Sequence, residues 1–145
     1  MMKNKNMKKI TIYIILIIFL AISLSGIIIA YGQLFPMSYF ERIAIVSISA
    51  GLLGSVVYMN RGFYQSIAEK TDENKMFDFN RWIWWYLCRP IMGAIAGLIL
   101  FIIIYLAFDL DQTDKNILAI FLTSFLSGYN FHEFIEKRIS KKIEI

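Results

Sequence analysis

His132 is the only histidine in the chain; Glu133 is adjacent to it and Glu136 follows one helical turn later. A histidine and a carboxylate on one helix face can hold a metal ion or exchange a proton, so these residues are the first place to look for chemistry. A metal site needs at least one more strong ligand, and no neighbouring residue is an obvious donor. As a general base, His132 needs a nucleophile presented to it. Ser124 and Ser127 lie deeper on the same helix and belong to no recognisable motif. A histidine facing water or lipid headgroups is the simpler reading.

The run Asp109-Leu110-Asp111-Gln112-Thr113-Asp114 spaces its carboxylates somewhat as a calcium loop does. It lacks the central glycine, and its twelfth position is Ile120 rather than a bidentate glutamate, so calcium is not expected. These carboxylates suit the start of the helix that follows, where the dipole favours negative charge. Cys88 is the only cysteine, which excludes an intramolecular disulfide and a cysteine-rich metal site. The expectation is no cofactor, no catalytic residue and no enzymatic activity.

These residues hang on a chain that is 58% hydrophobic, which leaves too little polar surface for a soluble domain of 145 residues. Four apolar runs cover most of it, and the basic residues sort to alternate sides of them. Lys3, Lys5, Lys8 and Lys9 precede the first run. Arg61, Lys70, Lys75, Arg81 and Arg89 lie between the second and third, and Lys137, Arg138, Lys141 and Lys142 follow the fourth. The other two connections hold only Arg42 and Lys115. Cytoplasmic loops retain Lys and Arg, so this pattern predicts four spans with both termini inside. The net charge of +4 is accounted for by this bias and by anionic lipid, and nucleic acid is not expected as a partner.

The predicted fold is all-α, a single-domain integral membrane four-helix bundle with helices at about 10–31, 43–59, 82–108 and 116–138. Ser23-x-Ser25 before Gly26 has the form of a signal cleavage site. The apolar run continues through Ile27, Ile28 and Ile29, which fits an uncleaved anchor better. In the second span Ser47, Gly51 and Ser55 repeat every four residues, as do Ala50 and Gly54, making a flat face for another helix. The third span carries Gly93 and Gly97 as GxxxG, a second candidate for close packing, and Gly128 in the fourth is a further one.

Trp82, Trp84, Trp85 and Tyr86 mark the headgroup level before the third span. Arg89 can extend from there to phosphates, and Pro90 suits the first turn of the helix proper. His132 is assigned to the same inner interface. The fourth span is the weakest: Ile117 to Tyr129 is 13 residues, about 20 Å of helix, shorter than the hydrocarbon. A re-entrant segment is its alternative. Between spans two and three, Phe63, Tyr64, Ile67 and Ala68 share one face of a short helix expected to lie in the membrane plane.

The stretch Trp85-Tyr86-Leu87-Cys88-Arg89-Pro90-Ile91-Met92-Gly93, with Gly128-Tyr129-Asn130-Phe131-His132-Glu133-Phe134, resembles uncharacterised small bacterial membrane proteins. Their third helix opens with Arg-Pro-x-x-Gly, and their fourth ends in Gly-aromatic followed by polar residues and Phe. The resemblance covers about the C-terminal half and implies a bacterial four-helix protein, with no activity attached; the location expected for the chain is a bacterial inner membrane. Where those proteins often carry a Ser-Glu-Arg-like stretch, this chain has Asn130 to Glu133.

Proton-coupled transport needs an ionisable group at membrane depth, and the first three runs offer none well inside. A pore needs less. Hydroxyl and small residues along a helix face suffice, and Ser47, Thr123 and Ser127 are candidates to line one. The expectation is therefore a homo-oligomeric pore-forming or membrane-perturbing subunit controlled by a cytoplasmic protein. The alternative is a structural or assembly subunit of a larger membrane complex. A facilitative transporter ranks below both.

Overall fold

Long apolar runs in this chain leave the backbone one economical choice, because a helix satisfies its N–H and C=O groups within the segment. The computed structural model describes residues 2–32, 35–68, 79–107 and 114–143, with side chains at 10–32, 35–62, 84, 86–107 and 116–130. It is all-α: α1 (Met2–Tyr31), α2 (Tyr39–Ala68), α3 (Phe79–Ala107) and α4 (Asp114–Ile143). Three helices contain a stretch long and apolar enough to cross a membrane, at Ile10–Tyr31, Tyr39–Gly62 and Tyr86–Ala107. α4 is as long as α1, at 30 residues.

Local chemistry sets the ends where they are described. Ser38 and Glu41 form a reciprocal capping box. The Ser38 N–H donates to Glu41 Oε2 at 2.8 Å, and the Glu41 N–H donates to Ser38 Oγ at 3.3 Å. At the close of α1, the Gly32 N–H reaches back to the Ile28 carbonyl. Arg42 Nε donates to the Ala30 carbonyl at 3.1 Å, so α2 covers a terminal carbonyl of α1.

Two expectations need correction. The short helix expected in the membrane plane is not a separate element, because α2 runs unbroken from Tyr39 to Ala68. Nothing in Asn60-Arg61-Gly62 stops it: there is no proline, and one glycine costs a helix only about 1 kcal/mol. Pro90 does not open a helix either. α3 begins at Phe79, so Pro90 sits inside it. Its missing N–H leaves the Tyr86 carbonyl without its usual helical donor, a defect that packing inside a bundle tolerates. The Asp109–Thr113 segment, the Thr71–Asn74 segment and the side chains of Trp82, Trp85 and His132 lie outside the described residues.

α2 is the hub, packing against each of the other three helices. Neighbours along the chain run antiparallel, which brings Ala30 of α1 beside Ile43 of α2 and Ile12 beside Met59. α2 and α4 consequently run parallel. The interior has three storeys. At one end Ile12, Leu16, Val56, Met59 and Tyr86 form an apolar cluster. At the other, Ala30, Ile43, Val46, Phe101, Ile117 and Ile120 form a second. Between them lies a layer of serines and glycines.

Candidate functional site, a helix crossing with buried hydroxyls

Gly51 of α2 is the centre of the middle storey. A Cβ built on it would fall against the carbonyl oxygen of Gly93 and lie 3.0 Å from the Cα of Gly97. One built on Gly128 of α4 would strike the Gly51 carbonyl and lie 2.9 Å from its Cα. Three helices therefore touch backbone to backbone at one residue, which only missing side chains permit. Gly54 extends the contact, its face closed by the backbone of Phe125 and Tyr129. Ser55 packs on Gly93 and returns its hydroxyl to the Leu52 carbonyl at 2.9 Å.

One turn away, the Ser47 hydroxyl donates to the Gly97 carbonyl at 2.8 Å. Its oxygen is 2.6 Å from Ser124 Oγ. Ser47 has a single proton and the carbonyl takes it, so Ser124 is the donor to Ser47. The chain Ser124 to Ser47 to Gly97 links α4, α2 and α3. Ser47, Ser55 and Ser124 all have no exposed surface.

The candidates for lining a pore therefore divide. Ser47 is sealed between helices and committed to its partners. Thr123 is exposed on the outer side of α4, where its hydroxyl bonds the Ala119 and Ile120 carbonyls of its own helix. Ser127, four residues on, is half-buried. Ser47 thus does not share a face with Thr123 and Ser127. The Gly51, Gly54 and Ser55 face is filled by α3 and α4 of the same chain.

Arg89 also differs from its expected outward reach. It is 8% exposed, with its guanidinium carbon 5.5 Å from the centre of the Tyr58 ring. The ring face attracts the cation and holds it inside the end of the bundle. Tyr58 meets Tyr129 edge-on at 5.4 Å, and Arg61 Nη1 donates to the Tyr129 hydroxyl at 3.0 Å. Nothing in the sequence singles out Tyr58 or pairs Arg61 with Tyr129 and Ser47 with Ser124. Their partners lie 68 and 77 residues apart in the chain for Arg61–Tyr129 and Ser47–Ser124, and no local periodicity records such separations.

No metal-binding group of three or more His, Cys, Asp or Glu occurs among the described residues. Cys88 is exposed on α3. In comparisons with known proteins, the chain matches no family model, no curated protein and no solved structure.

Proposed function

We propose that the chain is a four-span protein of a bacterial inner membrane, with both ends in the cytoplasm, that works by lateral association. In this reading it is a pore-forming or membrane-perturbing subunit controlled by a cytoplasmic partner. The observation that carries it is the division of hydroxyls. Those of Ser47, Ser55 and Ser124 are sealed inside one copy, while Thr123 is exposed on α4, bonded only to its own helix, and Ser127 beside it is half-buried. A polar path through a single copy is closed by backbone-to-backbone packing, so a path would have to form between copies, where small and hydroxyl residues line it.

The orientation draws support from helix direction. Alternation brings the basic prefix of α1, Arg61, Arg89 and the basic end of α4 to one end of the bundle. α4 is taken as a span because Ile117 lies level with Ile43, and Tyr129 level with Tyr58. Its helix is unbroken over Asp114–Ile143, which supports a span over a re-entrant segment.

The test is ion flux through liposomes holding purified protein, with membrane-potential dye in cells as the parallel measure. Thr123→Leu with Ser127→Leu should lower flux without lowering the amount inserted. A second reading, an assembly subunit of a larger membrane complex, is favoured by the exposed apolar faces of α1 and α3, such as Ile14, Ile18, Ile99 and Ile103. Liposomes that stay silent with the native partners present, while deletion destabilises a neighbouring membrane complex, would decide for that reading. A facilitative carrier fits less well, because the midplane polar groups are locked into the packing.

A further inference from the structure

We propose that the Arg61–Tyr129–Tyr58–Arg89 array binds the phosphate of an anionic lipid of the cytoplasmic leaflet, an inference that rests on the membrane orientation above. The array crosses three helices: Arg61 and Tyr58 come from α2, Tyr129 from α4 and Arg89 from α3. Two guanidinium groups bracket one pair of rings, Arg89 over Tyr58 and Arg61 on the Tyr129 hydroxyl. Like charges gathered on one aromatic pair raise the local potential, and an anion beside them lowers the energy of both.

The two arginines have different parts. Arg61 is exposed and carries the planar donor fork that recognises phosphate oxygens in pairs. Arg89 is buried behind the rings and supplies field rather than contact. The height is that of a headgroup. In the sequence the apolar run of α2 gives way at Asn60-Arg61, and Trp84, 70% exposed, belongs to the aromatic cluster that precedes the apolar run of α3. The cytoplasmic leaflet is where anionic lipid is concentrated. A phosphate held there would tie the end of α2 to that of α4, since Arg61 and Tyr129 already touch.

The experiment is thermal unfolding and native mass spectrometry of the purified full chain in detergent. Phosphatidylglycerol, phosphatidylcholine or inorganic phosphate is added, and the same lipids are tested with Arg61→Gln, Tyr129→Phe and Glu133→Gln. Phosphatidylglycerol should be retained and should raise Tm. Arg61→Gln should weaken that lipid about tenfold, the loss of one charge-assisted contact, and Tyr129→Phe should weaken it less. Equal effects of phosphatidylcholine would overturn the proposal, as would full retention by Arg61→Gln. Inorganic phosphate matching the lipid would replace the lipid by a free anion. Glu133→Gln costing as much stability as Arg61→Gln, with no lipid dependence in either, would assign the counter-charge to the protein itself. Alkaline extraction of cell membranes keeps the two readings apart. A chain that stays in the membrane yet is indifferent to lipid charge sinks only this inference, and a chain that is extracted sinks the orientation beneath it.

Discussion

Ser124 Oγ lies 2.6 Å from Ser47 Oγ, and because Ser47 gives its proton to the Gly97 carbonyl, the two serines are not equivalent. Ser47 is the joint and Ser124 an end. Ser47→Ala should cost about 1 kcal/mol, within the range for interhelical hydrogen bonds in membranes, and Ser124→Ala should cost less. Ser124 can turn its proton to its own helix backbone, whereas Ser47 joins Ser124 to the Gly97 carbonyl of α3, and its loss breaks both contacts between helices. Unfolding of both single variants and the double variant in detergent measures the coupling. Fully additive losses would show that the bond contributes nothing as a pair.

Substitutions at two glycines of α2 should move stability in opposite directions. Gly51→Ala drives a methyl group into the Gly93 carbonyl, against backbone that has no rotamer to yield, and should cost about 1–3 kcal/mol. Gly62→Ala meets nothing within 4 Å and should gain some tenths of a kcal/mol, up to about 1, from helix propensity. Thermal unfolding of the pair is the check. Equal behaviour at both positions would mean that the three-helix crossing is not formed.

Orientation can be read chemically in a Cys88→Ser background. A cysteine at Met37, in the connection between α1 and α2, should react with an impermeant maleimide in intact cells. Cysteines at Gly62 or Lys142 should react only after permeabilisation. Labelling at Lys142 in intact cells would put α4 or the whole bundle the other way up.

The close fit of α1 makes a further expectation. Ser23 has no exposed surface, and Gly26 is so near the Ser49 side chain that a Cβ would lie 3.2 Å from Ser49 Cβ and within clash range of its oxygen. The Ser23-x-Ser25 segment is therefore helical, with Ser23 packed inward and Leu24 and Ser25 exposed, where a peptidase needs it extended. Protein carrying an N-terminal epitope should keep that epitope in the membrane fraction. Gly26→Val should loosen α1 and lower accumulation.

Much of the architecture was legible in the chain because it is written locally. Apolar length and breaks between runs give four helices, and the every-fourth spacing from Ser47 to Ser55 marks a flat face on α2. What fills that face is not written locally. Gly128 and Gly51 are far apart in sequence, and nothing beside either residue names the other. Two readings leaned too hard on local rules. Asn60-Arg61-Gly62 looks like the end of a span, yet polarity ends a membrane segment without ending a helix. Pro90 looks like a first-turn proline, yet packing around it carries the helix through. Arg89 was placed by the habit of long cations to seek phosphate, and Tyr58 offers it a nearer face.

α4 has the shortest apolar run of the four helices, Ile117 to Tyr129, while lying against α2 over the height of the two apolar clusters. In the proposed membrane setting such a helix would enter lipid less readily by itself, and its entry would depend on the groove between α2 and α3. For this segment insertion and folding would then be one event. Translation delivers it after α1, α2 and α3, so until then the side of Ser47 that meets Ser124 and the face of Gly51 that meets Gly128 would stand uncovered. A chain stopped before Asp114 would remain in that unfinished state, a natural target for membrane quality control.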